Sequence, residues 1–170
     1  VDSRAWWEAQ GPDVPQQDRA FVAAFAEGSP GMAVRAAEHG IAAWDAELSP
    51  LFDALEAGRF PPNLGDRLAE IADTFAKGVV DADDGASKEA ANRLAVRFLA
   101  QVLRLRIRRG LAAAGDPATL ERWLGASEAL AEFERMVRTN VSLKHASAHL
   151  LAQWAERMAP SAPSGAARGR

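Results

Sequence analysis

Few side chains in this sequence are equipped for chemistry. Cysteine is absent, which rules out thiol nucleophiles, thiolate metal sites and disulfides together. Of the three histidines, His145 and His149 stand four residues apart, a spacing that puts both on one face of a helix where they could grip a metal. No glutamate lies between them, as it does in zinc proteases, so they read as solvated helix residues. His39, near an expected helix end, reads as a favourable charge against the helix dipole, because no partner for a catalytic base stands beside it. There is no glycine-rich loop ending in lysine to cradle phosphates, and no serine sits in a nucleophile elbow. The chain is therefore read as having no catalytic residue, no metal and no cofactor.

One pattern of charged side chains remains. Arg93, Arg97, Arg104 and Arg108, with Gln101 between them, are spaced to fall along one helical face, and Arg106 and Arg109 thicken its end. Such a row can touch phosphates or the acidic surface of a partner. The alternative is a solvated face paired with nearby Asp and Glu. The five tryptophans raise a similar question, since aromatic anchors are favoured at interfaces. Trp123 and Trp154 lie within apolar stripes and are expected in the core. Trp6 and Trp7 are adjacent and cannot both face inward from one helix.

The elements that must carry these residues are helices. Apolar residues recur at three and four throughout and period-2 alternation is nowhere sustained, so the expected class is all-α. A first short helix is expected at 3–10, ending at Gly11 and Pro12. A second, at 15–27, buries Phe21, Ala24 and Phe25. The corner Gly28, Ser29, Pro30, Gly31 follows: a glycine able to close one helix in the left-handed region, a serine to cap the next, and a proline suited to its first position. The third helix ends at Gly40. A fourth segment, 41–57, is expected to break or bend at Ser49 and Pro50. A fifth starts at Asn63, with Leu64, Leu68, Ile71 and Phe75 as its stripe, and gives way to an acidic loop at 78–85. Ser87 caps a long sixth helix to Arg109, whose apolar face is broad enough to meet more than one neighbour. Asp116 and Pro117 start a seventh through Leu120, Trp123, Leu124, Leu130, Phe133 and Val137 to Asn140. Ser142 starts the last, carrying Leu143, Ala146, Leu150, Leu151, Trp154 and Met158. The tail at 159–170 has too little apolar surface to order itself.

The chain has 170 residues, 48% of them hydrophobic, room for one ordinary domain, or one domain plus a fragment of a second, with enough apolar surface to fill a core. Its 20 basic and 23 acidic residues leave a net charge of -3, so nothing draws it over long range to nucleic acid or an anionic membrane. Apolar runs are far shorter than the roughly 20 residues of a spanning helix. With no cysteine and no leader pattern after Val1, a cytoplasmic location is expected, and the chain reads as processed or as a piece of a longer protein.

The corner Gly28, Ser29, Pro30, Gly31 within Ala26 to Ala33, the helix rich in leucine and arginine, and the closing Asn140, Val141, Ser142 before an amphipathic helix together resemble the C-terminal half of the delta prime family of bacterial DNA polymerase III clamp-loader subunits. The resemblance implies that residues 1–40 are the end of a small helical lid of an AAA+ module and 41–158 a helical collar, with the ATPase-like domain lying upstream. In the ATP-hydrolysing sister subunits the helix after glycine-serine carries a nucleotide-sensing arginine, and Gly31 stands in the matching place here. The implied role is a non-catalytic oligomerisation domain. Its partners would be the gamma/tau and delta type subunits, and it would meet DNA only indirectly, through the assembly that loads the sliding clamp during replication. A rival expectation is the helical ligand-binding or dimerisation domain of a transcription regulator. Against it, the helix after the corner presents Met32, Ala33, Val34, Ala36 and Ala37 with Arg35 alone, which is no basic recognition helix.

Overall fold

A computed structural model describes residues 11–82, 85–139 and 141–159. These form seven helices and no strand: α1 (Arg19–Ala26), α2 (Pro30–Glu38), α3 (Ala42–Glu56), α4 (Leu64–Ala82), α5 (Lys88–Ala113), α6 (Pro117–Arg138) and α7 (Leu143–Met158). The all-α expectation holds. The expected helix at 3–10, the pair Trp6 and Trp7, Asn140 and the tail from 160 lie outside the described residues.

The helix starts follow from side chains that satisfy the free amides of a first turn. Ser29 accepts from the Met32 amide at 3.4 Å, Ser87 from Ala90 at 3.3 Å, Asp116 from Thr119 at 2.9 Å and Ser142 from His145 at 3.4 Å. The helix ends follow from backbone that only glycine adopts without cost. Gly28 has φ +81° and Gly40 φ +60°, and at Gly40 the Ile41 amide bonds back to the Ala36 carbonyl at 2.9 Å.

At 26 residues α5 is the longest helix, about 39 Å from end to end, and it is shared by two cores. Leu99, Ala100, Leu103 and Ile107 pack with Phe52 of α3, Leu68 of α4, Phe133 of α6 and Trp154 of α7. Phe98, Val102 and Leu105 pack with Val22 and Phe25 of α1, Ala33 of α2 and Ile41. Rings continue the second core outward: Phe25 meets Phe98 edge-on at 5.8 Å, Phe98 meets Phe75 of α4 at 5.6 Å, and Phe75 meets Trp44 of α3 at 5.5 Å. The two groups of helices on either side of Gly40 are thus joined through α5.

Four expectations need correction. The chain at 16–18 is a turn, closed by the Asp18 amide on the Pro15 carbonyl at 2.9 Å, and α1 begins only at Arg19. Helix α3 runs unbroken through Pro50, because Leu48, Phe52 and Leu55 on either side are all buried in the first core. The acidic loop expected from Gly78 is helical as far as Ala82. A glycine costs about 1 kcal/mol there, which packing of α4 along α5 outweighs. Finally, the expected stripe of α6 is buried only in part: Leu130 and Phe133 lie in the core with Trp123 and Val137 packed against it, whereas Leu120 and Leu124 are exposed and Gly125, Ala126 and Ala129 face inward. The small residues win because they let α7 approach closely, so that a Cβ on Gly125 would lie only 3.0 Å from the Arg157 side chain.

Candidate interaction cleft

The corner between α1 and α2 lies on the surface, with Gly28, Ser29, Pro30 and Gly31 all exposed. Its local chemistry is as the residue types dictate: left-handed Gly28, capping Ser29, and Pro30 opening α2. A Cβ built at Gly31 would meet nothing within 4 Å, so no close packing requires glycine there. Two residues of α5 hold the corner in place. Gln101 Nε2 donates to the Phe25 carbonyl at 3.1 Å, satisfying an acceptor left open at the end of α1, and Arg108 pairs with Glu27.

The arginine row divides into parts. Arg93, Arg97, Arg104 and Arg108 are all exposed, as one helical face requires. Arg108 belongs to the corner. The other three line a cleft of about 880 Å³ that runs over α5 between α4 on one side and α6 and the start of α7 on the other. Val96 and Ala100 of α5, Ala72 of α4, Val137 of α6, Val141 and Leu143 supply its apolar lining. Its charged lining is Arg93, Arg97, Arg104 and Arg138 against Asp73, Glu89 and Glu134.

Ion pairing decides which charges remain available. Arg93 pairs with Glu89 one turn back, and Arg104 pairs with Glu134 across the α5–α6 contact while also donating to Gln101 at 2.9 Å. Among the described residues, Arg97 and Arg138 have no ion pair. Arg138, in the last turn of α6, faces the cleft from another helix, and no spacing within one helix could have shown that it joins the row.

Arg106 and Arg109 do not thicken the row. Arg106 turns to the opposite flank and meets Glu56 with Nε and Nη2, both at 2.7 Å. It also pairs with Asp53 and lies 5.6 Å over the Phe52 ring. Burial opposes its charge, yet the hydrogen bonds to Glu56 and Asp53 outweigh that and hold its pKa above the ordinary arginine value. Arg109 pairs with Asp45 at 3.1 Å. Both are struts between α5 and α3.

The histidines form no shared site. The His145 ring bonds its own capping serine, Ser142, at 2.6 Å, and no cluster of three metal-ligating side chains occurs among the described residues. His39 sits at the end of α2 with its ring edge-on to Phe75 at 4.9 Å. Trp154 is fully buried, as expected, and Trp123 is half-buried against the same core. No helix among the described residues is long and apolar enough to cross a membrane. Compared with protein-family models, with curated proteins and with solved structures, the chain gives no match.

Proposed function

We propose that the chain is a non-catalytic assembly module of the delta prime type, helping to join the clamp-loader pentamer that places the sliding clamp on DNA during replication. The observation that carries this is the corner: a left-handed Gly28, a capping Ser29 and a helix-opening Pro30, followed by Gly31 at an open position where the ATP-hydrolysing sister subunits carry arginine. A helical body with a surface cleft and no metal cluster among the described residues is compatible with a role in binding.

The test is assembly. Mixed with gamma/tau and delta type subunits and passed through a sizing column, the chain should co-elute in a larger complex, and calorimetry on the chain alone should give no ATP binding. Elution of the chain by itself, or micromolar ATP affinity, would count against the proposal. A second reading, the ligand-binding or dimerisation domain of a transcription regulator, is favoured by the cleft, whose volume falls within the roughly 300–1,000 Å³ usual for small-molecule sites. A DNA-binding domain encoded upstream would decide for it.

A further inference from the structure

We infer that the α4–α5–α6 cleft receives an acidic amphipathic helix of a partner protein, with Arg97 and Arg138 as its two charge anchors. This rests on the chain being a protein-binding module, but not on who the partner is.

The lining sets the chemistry of the occupant. The apolar side chains calls for an apolar face, and the two arginines without ion pairs call for carboxylates beside that face. Arginine is suited to this role because its planar fork takes a carboxylate with two parallel hydrogen bonds. The other lining arginines, paired to Glu89 and Glu134, add little new attraction. The size agrees with a helix. The cleft's lining on α5 runs from Glu89 to Arg104, about 22 Å along the helix axis, the length of about four helical turns. Nucleic acid fits less well, because Arg97 and Arg138, the two lining arginines without ion pairs, are too few to follow a continuous run of phosphates.

The probe is a fluorescein-labelled helical peptide of about three turns, with leucine and alanine on one face and glutamates flanking it, titrated into the full chain and followed by anisotropy. The expected result is saturable binding that weakens with added salt. It should fall at least about tenfold in the double variant Arg97→Glu/Arg138→Glu and stay unchanged in Arg108→Glu, which lies outside the cleft. Both substituted positions are exposed, and an unchanged melting temperature shows that the double variant is folded. A lysine version of the peptide should not bind. Equal binding by the double variant, no binding to the native chain, or equally tight binding of free dodecanoate or single-stranded DNA in this cleft would each overturn the inference. Peptide binding without assembly into the loader would leave the cleft standing and remove the clamp-loader reading. Assembly without peptide binding would do the reverse.

Discussion

The functional weight of an arginine in this molecule depends on which carboxylate reaches it first. Arg97 and Arg104 lie on one face of α5, yet Arg104 is drawn into a pair with Glu134 and Arg97 has none among the described residues. Burial sorts hydroxyl groups in the same way. Ser142 and Ser147 are both in or beside the first turns of α7: Ser142 caps the helix at the surface, whereas Ser147 is fully buried and its Oγ has no hydrogen-bond partner among the described residues. A desolvated hydroxyl without a partner costs about 1–3 kcal/mol, and its loss to an isosteric apolar group is neutral or favourable. Ser147→Ala is therefore expected to raise stability by up to about 1 kcal/mol, allowing for lost contacts of the oxygen. Urea titration checks this, and a clear loss of stability would show that the hydroxyl has a partner in solution.

At the scale of the helix, glycine carries different information at different positions. Gly78 lies inside α4 with open space around it, and Gly110 lies inside α5 with the Trp123 ring against it. A Cβ on Gly110 would fall 2.0 Å from the indole, a distance that no rotamer change of alanine relieves. Gly110→Ala should cost about 1–3 kcal/mol through overpacking, while Gly78→Ala should gain about 0.5–1 kcal/mol by relieving the helix of a flexible residue. Denaturation midpoints of the two variants, measured side by side, should move in opposite directions. Sequence pattern treats both glycines as places where a helix stops, and in both the helix continues, since a helix is ended by unsatisfied packing as much as by a weak residue. The same reason explains α6: bulky Leu120 and Leu124 look like its inner face, but close approach by α7 selects Gly125, Ala126 and Ala129 instead.

For the molecule as a whole, the shared helix α5 makes the two cores interdependent. Phe98 is fully buried in the core of α1 and α2 and touches rings of α1 and α4. Phe98→Ala should cost about 3–5 kcal/mol and lower one cooperative melting transition, seen at the same temperature by far-ultraviolet circular dichroism and by tryptophan fluorescence. Two separated transitions would mean that the helices before Gly40 melt by themselves. What the sequence alone determined is whatever depends on neighbours within a turn or two: the helical class, the capped starts at Ser29, Ser87, Asp116 and Ser142, the glycine closures at Gly28 and Gly40, and the common face of the four arginines. Tertiary structure alone decided which arginines are spent on partners, that Arg138 joins Arg97 across a cleft, that Arg106 faces Glu56, and that Leu120 and Leu124 of α6 stay outside. Those outcomes turn on groups from distant parts of the chain, 50 residues apart for Arg106 and Glu56 and 81 for Arg108 and Glu27. Periodicity along one helix carries no record of the neighbour it will meet.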